Sequence, residues 1–191
     1  MLNVFPQLQA AKIPFLFVSS QLAEEYDTVY GSTKRLGEVW SHLLNGVRVC
    51  LWNVYGAYEP ASERSHVVAD FVWQALTNGE IRMMTTGEEL RQFIFIDDVC
   101  RAFHQAMGLQ LDGVYDVTTF EWVSVRWVAD IIASLTGAKV VPGEHRGSKP
   151  IKLMWGNVTG WTLFVSLKKG LTRTLALFRQ HAAPSSGWSS A

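Results

Sequence analysis

The sequence predicts an α/β fold built around a parallel sheet, and two observations carry that reading. An apolar run at 13–18 closes on Ser19-Ser20, as a buried parallel strand does when functional residues stand at its carboxyl end. A helical pattern over 27–44 follows, then a second apolar run at 47–53. Strand, helix and strand in that order imply a right-handed crossover between parallel neighbours.

The elements follow in turn. Asp27 is the expected cap of the helix 27–44, with Val29, Thr33, Leu36, Trp40 and Leu43 along one stripe and Asn45-Gly46 as its stop. Residues 56–65 are loop-like, and 66–77 form a second apolar-periodic helix ended by Asn78-Gly79. Strands are expected at 81–84 and 92–96, around a loop 85–91. Asp97 or Asp98 then caps a helix to about 107, 114–117 form a short strand, and 124–135 and 166–180 form the last two helices. The tail 184–191, Pro-Ser-Ser-Gly-Trp-Ser-Ser-Ala, has the composition of a frayed, flexible terminus. No internal repeat is visible.

At 191 residues, 48% hydrophobic and 18% charged, the chain has the composition of a globular protein with one sizeable core. Lys plus Arg and Asp plus Glu both total 17, so there is no electrostatic case for nucleic acid or an anionic membrane. No stretch reaches the apolar length of a membrane span, and the N-terminus lacks the pattern of a signal peptide. Cys50 on a buried strand and Cys100 on a helix read as packing residues, which suits a reducing cytoplasm. Eight tryptophans are many for this length, and exposed ones would mark a surface that something else covers. The five histidines show no metal-ligand spacing.

The chemistry concentrates in Tyr30-Gly31-Ser32-Thr33-Lys34. Tyr30 and Lys34 are four apart on a helix, so both project from one face. An ammonium near a phenol favours its ionised form, and a serine hydroxyl at the end of the adjoining strand can hold the same substrate oxygen. Such a Ser, Tyr, Lys set moves a proton while a nicotinamide moves a hydride.

Five segments extend this motif. They are Phe15-Leu-Phe-Val-Ser-Ser20, Tyr30-Gly-Ser-Thr-Lys34 with Glu38, Asn53-Val-Tyr-Gly56, Arg91-Gln-Phe-Ile-Phe-Ile-Asp-Asp-Val99, and Gly160-Trp161 with Ser166-Leu-Lys-Lys-Gly-Leu171. In this order the chain resembles the extended short-chain dehydrogenases/reductases, and within them the NAD-dependent nucleotide-sugar epimerases and dehydratases. The resemblance implies the C-terminal part of a Rossmann-type parallel sheet with a small α/β substrate-binding lobe. Its expected divisions are a partial NAD-binding domain at 1–56, sheet completion and substrate lobe at 57–183, and the tail at 184–191.

The resemblance also implies roles. Tyr30 is the acid/base, Lys34 tunes it and holds the nicotinamide ribose, and Ser20 holds the sugar oxygen. Ser19 is the alternative to Ser20 and otherwise stands on the cofactor side with Tyr30 and Lys34. Asn53 and Arg91 hold the diphosphate of a nucleoside-diphosphate sugar, a guanidinium suiting that planar bidentate task. A turn residue and a surface arginine are their plainer readings. The residues that usually follow the serine pair are replaced by Gln21-Leu-Ala-Glu-Glu-Tyr26 and the loop to Tyr30 is short; Glu24 or Glu25 could replace the family's extra acid/base residues, but they read more readily as solvated carboxylates. Asp97-Asp98 could be paired acid/base carboxylates or a metal site, but at a helix start they read as caps.

Family members open with a strand, a Gly-x-x-Gly-x-x-Gly turn and a helix that hold the dinucleotide pyrophosphate. Met1-Leu-Asn-Val-Phe5 instead matches a helix just before the catalytic strand, so the nucleotide-cradling half is expected to be missing from these residues. Gly143-Glu-His-Arg-Gly147-Ser-Lys149 has the wrong spacing for a phosphate loop, with Pro150 where a helix should begin, and reads as a surface turn. The cofactor implied is NAD, with NADP as the alternative, and the family pairing of the helix 27–44 implies a cytoplasmic homodimer. Two rival readings use the same residues: a non-catalytic structural or partner-binding remnant, and an NADPH-dependent carbonyl reductase.

Overall fold

The computed structural model describes residues 3–25, 27–56, 59, 65–109, 111, 113–149 and 155–181. The tail 184–191, Tyr26, Pro150 and most of the loop 56–65 lie outside them. The chain divides into two compact units. The first holds Met1–Val54, Ile96–Phe120 and Ile151–Phe164, and the second holds Tyr55–Phe95, Glu121–Pro150 and Val165–Ala191.

The first unit is built on a parallel sheet in the order β1 (Leu16–Ser20), β2 (Val47–Leu51), β7 (Val114–Val117). The expected strand, helix, strand crossover is therefore present. Strand β1 ends on the serine pair and starts three residues later than the apolar run. Pro14 has no N–H to give a ladder, and Ile13 instead donates its amide to Leu8 O, closing helix α1 (Phe5–Ala11). A single 3-10 turn at Gln21–Glu24 links β1 toward α2 (Val29–Leu43).

Helix α2 corrects two expectations. Its cap is Thr28, whose hydroxyl accepts the Gly31 amide at 2.9 Å, and Asp27 lies outside the helix. Most of its expected stripe also faces outward: Val29 is 88% exposed and Leu43 66%, Thr33 and Leu36 are exposed, and only Trp40 is half-buried. The buried face carries Gly31, Gly37, Glu38 and Ser41. A Cβ on Gly37 would lie 2.1 Å from the Phe17 ring, so small residues let the helix approach β1 more closely than an apolar stripe could. Phe5 closes this layer, 5.9 Å from Phe15 and 6.1 Å from Trp40, centroid to centroid.

Helix α4 (Ile96–Gly108) belongs to the same unit. Asp97 and Asp98 lie in its first turn and are not its cap. Asp98 is fully buried, pairs with Arg101, accepts the Phe164 amide at 3.2 Å and gives its carbonyl to Trp161 Nε1 at 3.1 Å. It fastens the segment 161–164 to the helix. Arg101 also stacks 4.0 Å over the Phe164 ring.

In the second unit α3 (Val67–Asn78) and α5 (Val125–Thr136) pack together, and α6 (Leu167–His181) packs on both. Gly79 and Gly137 end the first two at φ values of 64° and 81°, in the left-handed region that glycine tolerates. Short strands β4 (Glu80–Arg82) and β9 (Lys139–Val141) pair in parallel, while β5 (Leu90–Arg91) and β8 (Val123–Ser124) pair antiparallel. Strand β6 (Phe93–Phe95) also belongs to this unit, while β3 (Asn53–Tyr55) begins in the first. Tyr55 donates to Leu167 O at 3.2 Å, and its ring leaves room only for glycine at position 170, where a Cβ would come within 2.1 Å of the phenol oxygen. Among the described residues no helix is long and apolar enough to cross a membrane.

Candidate active site

The carboxyl end of β1 and the first two turns of α2 carry three of the expected residues, Ser20, Tyr30 and Lys34. Tyr30 is the second residue of α2 and 52% exposed, so its phenol faces outward from the helix start. Lys34 stands one turn on. Its Nζ donates to Val18 O at 2.9 Å and lies 5.6 Å from the centroid of the Tyr30 ring and 5.7 Å from that of Phe17. A lysine would otherwise sample many rotamers, but here the β1 carbonyl and two aromatic faces hold its charge beside the phenol.

The two serines part company because successive strand residues point to opposite faces. Ser19 is buried and donates its hydroxyl to Glu38 Oε1 at 2.5 Å. Ser20 is half-buried; its oxygen accepts the Leu22 amide at 3.2 Å, capping the 3-10 turn. That bond uses a lone pair and leaves the hydroxyl hydrogen of Ser20 for an incoming oxygen. Asn53 opens β3 two residues beyond β2, in the same unit, and is half-buried. Arg91 belongs to the second unit, on β5, where its guanidinium is bonded to Leu90 O and to Ser148. Glu25 is exposed, whereas Glu24 is half-buried and lies 3.8 Å from Arg35.

Two buried acids, Glu38 and Asp116, were given no role by sequence reasoning. Glu38 receives Ser19 through Oε1, lies 3.6 Å from Cys50 Sγ through the same atom, and takes Arg35 at 3.0 Å on Oε2. It ties α2 to β1 and β2. Asp116 on β7 accepts Trp52 Nε1 at 3.0 Å and the Trp155 amide at 2.7 Å. Two signals were available: an acid four residues beyond Lys34 on one helix face, and an acid inside an apolar strand. Burial, with both carboxylates nearby, pushes the Cys50 thiol well above the ordinary thiol range, so it is an inert packing group as expected. Cys100 is the correction: it is exposed.

Residues 4–117 match the NAD dependent epimerase/dehydratase family. The chain belongs to that family. A UDP-glucose 4-epimerase of Mycolicibacterium smegmatis is 28% identical over 164 residues, covering 78% of this chain and 52% of the relative. Two solved structures overlay closely. The UDP-glucose 4-epimerase of Thermotoga maritima with UDP-glucose gives a TM-score of 0.79 at 23% identity, over 94% of this chain and 68% of that one. The Thermus thermophilus UDP-glucose 4-epimerase in complex with NAD gives 0.73 at 20%, over 94% and 67%. These likenesses show the fold, a mixed α/β architecture of Rossmann type with parallel strands. The chain spans about half the length of the curated relatives it matches.

The family model is described as NAD dependent. On α2, Lys34 offers a held ammonium beside the exposed Tyr30 phenol, a donor set whose chemistry suits the nicotinamide portion of that cofactor. The sequence contains no Gly-x-x-Gly-x-x-Gly turn to cradle the pyrophosphate.

Proposed function

We propose that the chain carries the proton-transfer and substrate-holding residues of NAD-dependent epimerase or dehydratase chemistry on a nucleoside-diphosphate sugar. The observation that supports this most is Lys34 held by Val18 O beside the exposed Tyr30 phenol, one turn along a helix that Glu38 binds to the serine-bearing strand. Bound NAD would supply the hydride acceptor and donor. Tyr30 takes the proton of a sugar hydroxyl as that carbon becomes a ketone, and returns it when the carbon is reduced again. Ser20 donates its free hydrogen to the same oxygen. Lys34 supplies positive charge next to the ring and reaches the nicotinamide ribose, while Ser19, turned inward to Glu38, fixes the strand on the cofactor side.

Asn53 in the first unit and, taken separately, Arg91 in the second are each a candidate contact for the diphosphate. Binding that remote group orients the reacting sugar and contributes to the rate through positioning. Titration of the folded chain with sugar nucleotides tests this reading directly.

The outward apolar face of α2, Val29, Leu36, Val39 and Leu43, supports a homodimer formed through that helix. Light scattering at high micromolar concentration should give a dimer, and Leu36→Glu a monomer. A monomeric parent chain would contradict the dimer. Two free cysteines agree with a reducing, cytoplasmic setting.

A further inference from the structure

The segment 143–149 reads from sequence as a plain surface turn, yet its path through the second unit is tightly fixed. Gly143 donates its amide to Thr85 O at 2.9 Å, and Thr86 donates to His145 O at 2.8 Å, with a parallel bridge between Thr85 and His145. A Cβ on Gly143 would stand 2.6 Å from the Met83 and Met84 carbonyls, and one on Gly147 would stand 2.3 Å from the Glu89 carboxyl carbon. Glu89 is itself held, accepting the Thr85 hydroxyl at 2.6 Å. The two glycines therefore let the segment lie flat along 83–89.

What the segment delivers is Ser148, set against Arg91. Arg91 Nη2 donates to Ser148 Oγ at 2.5 Å, and Nη1 donates to Ser148 O at 3.3 Å and to Leu90 O at 2.7 Å. Among the described residues no carboxylate pairs with Arg91. A guanidinium carries five N–H donors in a rigid fork. Three are occupied, all on the two terminal nitrogens. The remaining two, on Nε and Nη2, point the same way along one edge, the side-on geometry that grips two oxygens of one phosphate.

We propose that Ser148 is a positioning residue for Arg91: it holds the end of the guanidinium so that the Nε and Nη2 edge is presented, uncompensated, to a phosphate of the substrate. This rests on the sugar-nucleotide reading above. The physical gain is pre-organisation, since an arginine already held in its binding rotamer loses less entropy when the anion arrives.

The test is calorimetric titration of the full chain with UDP-glucose, GDP-mannose and dTDP-glucose, comparing the parent with Ser148→Ala, Ser148→Thr, Arg91→Ala and the Arg91→Ala, Ser148→Ala double variant. Ser148 is exposed, so these changes leave the fold in place, which circular dichroism verifies. Ser148→Ala should weaken binding about three- to tenfold, the size of one ordinary net hydrogen bond, because the lost contact acts on the phosphate only through Arg91. Ser148→Thr should restore it, and the double variant should bind no worse than Arg91→Ala, because Ser148 acts through Arg91. Unchanged binding in Ser148→Ala, or an equal further loss in the Arg91→Ala background, would overturn the proposal. If Arg91→Ala alone loses affinity, Ser148 drops out while the sugar-nucleotide reading stands. If the folded parent binds none of the three, that reading falls and takes the proposal with it.

Discussion

Replacing Tyr30 with phenylalanine should lower turnover by about a hundred- to ten-thousandfold while leaving cofactor affinity nearly intact. The expectation applies to a protein carrying these residues together with a glycine-rich dinucleotide-binding half. The change removes only the phenol oxygen. The ring, its contact with Lys34 and the bond from Lys34 Nζ to Val18 O all remain, so the contacts proposed for the cofactor are untouched. Steady-state rates on a sugar nucleotide, alongside NAD titration of each protein, read both quantities. Turnover within a few-fold of the parent would show that another group is the base.

The second large effect is expected at Gly31. A Cβ there would lie 2.1 Å from Glu25 O, 2.4 Å from Leu22 O and 2.8 Å from the Thr28 hydroxyl, so the contact is with backbone that cannot rotate away. Gly31→Ala must push the first turn of α2 off the 3-10 turn, and Tyr30 and Lys34 with it. Overpacking of this kind costs about 1–3 kcal/mol. For a chain of this size that lowers the melting temperature by roughly 2–4 °C per kcal/mol. Gly108→Ala is the control: nothing lies within 4 Å of its Cβ, and alanine at the end of a helix should be neutral or slightly stabilising. A Gly31→Ala melt that matches the control would refute the close-approach account of the Tyr-Gly pair.

That glycine shows where the sequence was legible and where it was not. The parallel strands were readable because an apolar run ending in Ser19-Ser20 and a second run after a capped helix leave few other arrangements. The buried side of α2 was not, because hydrophobic periodicity marks the face with most apolar residues, and here that face carries Val29, Leu36 and Leu43 outward. The true contact is made by Gly31, Gly37 and Ser41, whose smallness gives no hydropathy signal. Strand β9, Lys139-Val-Val141, escaped notice because three residues are too few to show alternation. Glu38 and Asp116 escaped because an acid is ordinarily solvated, and only tertiary partners such as Ser19, Trp52 and the Trp155 amide show why these are not. The candidate residues were visible as types at a spacing. The bond that holds Lys34, and the burial of Ser19 against Glu38 while Ser20 stays half-buried, required the fold.

The most direct test of the account is equilibrium binding of UDP-, GDP- and dTDP-sugars, with NAD as the second titrant, to the folded chain by calorimetry. We expect at least one sugar nucleotide to give a saturable isotherm that Arg91→Ala weakens by about tenfold or more, as loss of a charge-assisted bidentate contact implies. NAD should bind far more weakly than the micromolar range, since these residues contain no turn that cradles its pyrophosphate. A chain shown to be folded that binds no sugar nucleotide at all would contradict the account and favour a structural role for the inherited residues.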